Sequence, residues 1–156
     1  MKITETIFLD AAQKEAIYRL WNNEYPSQLG YSAHVELDVY LENLKEPHHY
    51  FAVNDADDIV GWAFSFEREG ERWFAIIVDS MLHRSGVGPM LLNKLKANST
   101  VLNGWVTDHD KYVKADGSPY PSPMGFYLKN GFVVCEGIRL EFEKLSAAKI
   151  WWTADA

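Results

Sequence analysis

Two glycines mark the place where this chain could grip an anion. The run Trp73-Phe74-Ala75-Ile76-Ile77-Val78-Asp79 leads through Ser80 to Ser85 into Gly86-Val87-Gly88-Pro89-Met90-Leu91-Leu92. Six successive apolar residues, rich in aromatic and β-branched types, suit a central strand buried on both faces. Val87, Leu91 and Leu95, with Leu92 alongside, then give the spacing of one buried helix face. Between strand and helix, Gly86 and Gly88 open backbone dihedrals closed to other residues and bring main-chain N–H groups close to a ligand. Those N–H groups sit at the positive end of the helix dipole, where phosphate is favoured. Pro89 suits the first helical turn but removes one donor. A Rossmann fingerprint would need a third glycine where Leu91 stands, and a Walker loop would need lysine where Pro89 stands. A plain strand-to-helix turn can also carry such a glycine pair.

The segment His83-Arg84-Ser85-Gly86-Val87-Gly88 resembles the acyl-CoA motif of the GNAT superfamily of N-acetyltransferases, Gln/Arg-x-x-Gly-x-Gly/Ala, with His83 in the Gln/Arg position. Downstream, Phe126-Tyr127-Leu128-Lys129-Asn130-Gly131-Phe132 is similar to a second signature of that family, Phe/Leu-Tyr-x-x-x-Gly-Phe. Tyr120 and Pro123 stand where many members carry Asn and Ala. The resemblance spans roughly Ile59 to Phe142. It implies a mixed α/β GNAT fold: a mostly antiparallel sheet of six to seven strands, flanked by about four helices and splayed between the fourth and fifth strands. It also implies acetyl-CoA as cosubstrate. Main-chain groups of Ile77 and Val78 would hold the pantetheine arm and the carbonyl. His83, Arg84, Ser85, Gly86, Val87, Gly88, Pro89 and Met90 would surround the pyrophosphate, with Gly86, Val87, Gly88 and Met90 as N–H donors, and Tyr127 would meet the sulfur.

Acyl transfer needs a neutral amine at a thioester carbonyl, a donor for the developing oxyanion and a route for the departing thiolate. An ordinary phenol near pKa 10 facing a thiol near 8.5 makes full proton transfer uphill by about 2 kcal/mol. Tyr127 is therefore expected to hydrogen-bond the sulfur, with transfer only if the site lowers its pKa; without the flanking motif it would read as a packing aromatic. Asp108 and His109, at the end of the strand Val101 to Thr107, are candidate bases. Histidine has the better-placed pKa for an ammonium proton. Asp79 is a third candidate; all three also read as caps or surface groups, and a water chain could replace them. His48 and His49 point to opposite faces of a strand, a poor metal site, so no metal is expected.

The elements that must position these residues follow from the remaining pattern. Ile3 to Phe8 alternates as a first strand. Asp10 caps a helix whose stripe is Ile17, Leu20 and Trp21 and which ends before Pro26. A second helix is expected from about Ala33 to Lys45, closed by Pro47. Tyr50 to Val53 and Ile59 to Phe66 are strands around an acidic turn, and the turn Glu67 to Arg72 leads to the central strand. After the glycine helix and the strand Val101 to Thr107, Lys111 to Ser122 is an irregular loop with Gly and Pro turn signals. Pro123 to Phe132 reads as a short helix with Gly131 at its C-cap. Phe132 to Glu136 and Ile138 to Phe142 are two strands around Gly137. Ser146 to Ala156 is a tail that packs back or meets a partner.

At 156 residues, with 47% hydrophobic and 14% aromatic content, the chain reads as one domain, 1–156, with a sizeable core. The net charge of −7 argues against nucleic acid as a partner. Cys135 is the only cysteine, which excludes an internal disulfide and a cysteine zinc cluster. The N-terminus lacks the apolar core of a signal peptide and no run approaches a membrane span, so a cytoplasmic protein without a membrane partner is expected. The reading is an N-acetyltransferase acting on a small-molecule, peptide or protein amine by direct attack in a ternary complex. Its rivals are a non-catalytic acyl-CoA sensor or interaction module with the same fold and, more distantly, a nucleotide-binding domain preferring ATP. The acceptor side falls to Glu24 to Tyr40 and Lys111 to Ser122, where Tyr25, Tyr31, Tyr112 and Tyr120 suggest a partly apolar pocket. Oligomeric state stays open, a homodimer included.

Overall fold

A computed structural model describes residues 1–155. The chain runs β1 (Lys2–Thr6), α1 (Ala11–Glu24), α2 (His34–Glu42), β2 (Lys45–Val53), β3 (Ile59–Arg68), β4 (Glu71–Val78), α3 (Val87–Ala97), β5 (Val101–Val106), α4 (Met124–Lys129), β6 (Val133–Phe142) and β7 (Leu145–Thr153). The strands form one sheet in the order β1-β2-β3-β4-β5-β7-β6. Its neighbours are antiparallel except β4 and β5, which are parallel and bridged only at Trp73 opposite Asn103. Beyond that pair the two strands diverge. The Asn103 side-chain amide donates to the Arg72 carbonyl at 3.1 Å, tying the base of the split.

Strand alternation assigns side chains to two separate cores. Trp62, Phe64 and Phe66 of β3 and Trp73 and Ile77 of β4 pack under α1 and α2, against Ile17, Leu20, Trp21, Leu37 and Leu41. Phe74 of β4 and Leu102 and Val106 of β5 pack on the other face against Leu91, Leu92, Leu95 and Tyr127 of α3 and α4. α1 is started by a reciprocal cap, the Asp10 carboxylate accepting from Gln13 N–H while the Gln13 side chain accepts from Asp10 N–H.

Three expectations are corrected. Helix α2 stops at Glu42, and Lys45, Glu46 and Pro47 belong to β2. Pro47 is tolerated there because the ladder skips from Lys45 to His48, with Glu46 at φ 49°, so its missing N–H breaks no bond. Val133 to Phe142 is one strand, not two: Gly137, at φ 80°, absorbs a bulge where the register jumps from Cys135 to Arg139. The supposed tail is β7, inserted between β5 and β6, with Ala147, Ala148 and Ile150 buried. No helix among the described residues is long and apolar enough to cross a membrane.

Candidate active site

The divergence of β4 and β5 opens a cavity of about 760 Å³ that is lined from both faces of the sheet. On the α3–α4 side its walls include Phe74, Gly88, Phe126 and Tyr127; on the α1–α2 side they include Trp21, Tyr25, Phe64, Trp73 and Trp105. Gly104 keeps the passage open. A Cβ there would lie 2.9 Å from the Phe74 ring, which in turn sits edge-on to Tyr127 at 5.6 Å between centroids.

The turn before α3 presents main-chain donors to this space. Gly86 caps the helix at φ 91° and Arg84 precedes it at φ 69°, alternating hands that converge N–H groups. The N–H groups of Arg84, Gly86, Val87 and Gly88 have no hydrogen-bond partner among the described residues, whereas those of His83 and Ser85 bond Ser80 and Leu82 carbonyls. Met90 corrects one expectation: its N–H is taken by the Gly86 carbonyl at 3.1 Å, so it is not a free donor. Gly88 is helical, and a Cβ there would make only ordinary contact, 3.5 Å from Phe126. Its smallness keeps room open, while Gly86 needs its conformational freedom. His83, Arg84, Gly86, Gly88, Pro89, Ile77 and Val78 line the cavity; Ser85, Val87 and Met90 do not. The Val87 side chain is core, and the Ser85 hydroxyl is held on the Leu82 carbonyl. The His83 imidazole bonds the Val78 carbonyl at 3.1 Å, fastening the turn to the end of β4.

Tyr127 is 6% exposed and rests on α4, whose C-terminus is closed by Asn130 and Phe132 N–H groups on the Tyr127 carbonyl at 3.0 and 3.1 Å. Its hydroxyl makes no hydrogen bond among the described residues. Burial, with the nearby Tyr120, raises its pKa well above the ordinary phenol value. Burial likewise lifts Tyr25, and carries Tyr40 and Tyr120 to about 12. These phenols stay protonated at neutral pH and line the cavity as a set of donors.

Asp108 and His109 do not line the cavity. The Asp108 carboxylate forks onto Arg139 at 2.7 and 3.1 Å, and the guanidinium lowers its pKa, the reverse of what a proton acceptor needs. His109 accepts from Lys111 N–H at 3.2 Å and packs edge-on to Tyr112. Asp79 is a cap, accepting from Met81 N–H. Sequence reasoning marked the segments around Glu24 and Lys114 but not their meeting. Their side chains, each about one-tenth exposed, pair at 3.0 Å across the cavity mouth, and Glu24 also accepts from Ser80 N–H at 3.1 Å. No local pattern signals a pair 90 residues apart. Glu24 is the sole carboxylate among the described residues that line the cavity. Thr107 and Trp73 also line it, and their buried hydroxyl and indole nitrogen lack partners among the described residues.

Solved structures share this architecture. An aminoglycoside 6'-N-acetyltransferase complexed with coenzyme A superposes with a TM-score of 0.72 at 16% identity, over 98% of this chain and 97% of that one. The chain has the GNAT fold. A GNAT-superfamily phosphinothricin acetyltransferase from Sinorhizobium meliloti in complex with AcCoA matches at TM-score 0.69 and 13% identity, over 98% and 89% of the two chains. A GNAT-family acetyltransferase from Staphylococcus aureus Mu50 matches at 0.68 and 18%, over 97% and 99%. No protein-family model and no curated protein sequence gives a significant match. Within the GNAT fold the splayed strands, the glycine turn and Tyr127 meet at one cavity. No cluster of three or more His, Cys, Asp or Glu among the described residues is arranged to hold a metal ion.

Proposed function

We propose that the chain is an N-acetyltransferase moving acetyl from acetyl-CoA to a primary amine by direct attack within a ternary complex. The observation that carries this reading is the cavity crossing the sheet, which joins unpaired N–H groups at the α3 turn to the Tyr127 phenol in one wall. Those donors fit a diphosphate: Arg84, Gly86, Val87 and Gly88 offer N–H groups at a helix N-terminus, and the Arg84 side chain has no carboxylate partner among the described residues. CoA-bound neighbours of the same fold support the assignment.

The thioester supplies an acyl carbon to which the amine nitrogen bonds as the carbon–sulfur bond breaks, sulfur leaving as thiolate and the nitrogen's proton passing to water. Tyr127 donates its O–H to the departing sulfur and keeps its proton, because its raised pKa makes full transfer costlier than the roughly 2 kcal/mol of an ordinary phenol. Main-chain groups of Ile77 and Val78 line the slot for the acyl arm. Neither nearby carboxylate serves the amine as a free base: among the described residues Asp108 is held by Arg139 and Glu24 by Lys114, while His83 spends one ring nitrogen on the Val78 carbonyl. The enzyme therefore selects amine already deprotonated in water.

The acceptors named for the neighbours, an aminoglycoside and phosphinothricin, make opposite demands. A polycationic aminoglycoside would need several carboxylates, and Glu24 is the only one lining this cavity among the described residues. Thiol release from acetyl-CoA across a panel of amines, paired with calorimetric CoA titration, tests the proposal. Turnover on at least one amine is expected; saturable CoA binding with no thiol release on any amine would instead make the chain an acyl-CoA sensor.

A further inference from the structure

The part of the cavity on the α1–α2 side is walled by aromatic rings and carries its own unpaired cation. Tyr40, Phe64, Phe66, Trp73 and Trp105 line it, and the Arg68 guanidinium lies over Phe66 at 5.0 Å and over Trp73 at 5.9 Å from the ring centroids. Among the described residues that line the cavity, Arg68 and Arg84 are the two cations with no carboxylate partner, and they flank opposite ends of β4. Arg84 belongs to the turn already assigned to the diphosphate. The nearest competitors of Arg68 are occupied elsewhere: Glu71 pairs with Lys149 at 3.6 Å, and Glu67 pairs with Arg72 at 3.4 Å.

A second, independent feature lies at the same end. The indole nitrogen of Trp73, in a residue 7% exposed, has no hydrogen-bond partner among the described residues, and the Lys149 ammonium sits 5.3 Å from that ring. A buried donor left unpaired costs about 1–3 kcal/mol unless something accepts from it. Guanidinium, indole N–H and the Tyr40 phenol are all donors, so the group they suit is an acceptor bearing negative charge. From Trp73 to Ile77, assigned above to the acyl arm, is four residues of strand, about 13 Å, which sets the span between this donor set and the reacting carbonyl.

We propose that the acceptor is an amine carried on an apolar, ring-sized body with a carboxylate at its far end, and that Arg68 with Trp73 receives that carboxylate. The inference rests on the acetyl-transfer reading for the fate of the amine, but the anion subsite stands on its own geometry. The rings hold the body by area, Arg68 fixes its register, and the amine is delivered to the gap between the strands. A polyamine is excluded by the same arrangement, because its second ammonium group would face Arg68.

Binding of 4-(aminomethyl)phenylacetate and of 4-methylbenzylamine, the same amine without the carboxylate, measured by calorimetry with and without CoA, tests the subsite without requiring turnover. A charge-assisted contact predicts that the acid binds about tenfold or more tighter in the unaltered protein. That preference should fall to near unity in Arg68→Met and return in part in Arg68→Lys. Equal affinity for the two amines, no measurable binding of the acid, or a preference that survives Arg68→Met would overturn the proposal. Thiol release run on the same pair separates the two readings. A tenfold preference in binding with no turnover of this pair or of any amine in the panel would sink the acetyltransferase and leave the anion subsite standing, whereas turnover without preference would do the reverse.

Discussion

Tyr127 is held by its neighbours rather than by hydrogen bonds: Phe74, Phe126 and Phe132 all meet its ring edge-on within 5.6 Å of its centroid. Tyr127→Phe keeps that packing and removes one donor, so kcat should fall by about tenfold to a thousandfold with CoA affinity retained, read by steady-state kinetics and calorimetry. Because burial raises the phenol's pKa, its ionisation should produce no alkaline fall in kcat below pH 10; the profile should instead rise with the free fraction of the amine. Asp108→Asn separates the candidates for base. Its expected loss in kcat/KM lies well below the roughly hundredfold that removing a general base costs, since the carboxylate already serves Arg139. At this scale the glycine pair and the Tyr127 motif could be read directly, because each is a local spacing with a local consequence. Glu24–Lys114, Trp73 and Arg68 could not, because their roles come from neighbours far along the chain.

The elements translate those residues into a gap of fixed width. One bridged pair joins β4 to β5, and Gly104 lets the Phe74 ring lie in the opening. Gly104→Val would force that ring toward Tyr127, and such overpacking costs about 1–3 kcal/mol. The expected result is a lower melting midpoint together with a larger loss in acetyl-CoA affinity than stability alone explains. Helix existence, the order of strands to Val106 and a stop to α4 at Gly131 followed from periodicity and turn residues, although the C-cap itself is Asn130 and Gly131, at φ 87°, follows it. The boundary at Pro47 did not, since a proline at a skipped ladder position looks like a helix stop. The bulge at Gly137 was misread as a break for a related reason: a positive φ at glycine ends one strand or bends it, and sequence does not distinguish the two.

The whole molecule adds a strand that sequence reading left as a tail. β7 pairs with Val101 to Val106 along its length and carries Trp151 and Trp152, so the C-terminal segment is sheet interior rather than appendage. It forms a hairpin with β6 through Glu143 and Lys144 and also pairs with the distant β5, and that long-range partner is what alternation alone does not place. Stability should also report the buried titratable groups. His49 accepts from the Trp62 indole at 3.0 Å, and burial depresses its pKa from 6.5 to about 4. A depressed histidine contributes stability above its unfolded pKa and loses it as pH falls from 6.5 toward 4, a loss on the order of 3 kcal/mol. Denaturant unfolding at pH 7 and pH 4 should show this drop, and His49→Gln should flatten it. Tyr40 and Tyr120, raised to about 12, act at the other limit: their contribution is complete below pH 10 and declines as pH rises toward 12. The central claim remains that free main-chain hydrogens at the α3 turn hold the diphosphate of acetyl-CoA beside Tyr127. An amide-resolved NMR titration with acetyl-CoA tests it most directly. Saturable shifts at the N–H groups of Arg84, Gly86, Val87 and Gly88, larger than at Met90, are expected; a titration that leaves those four amides unmoved would contradict it.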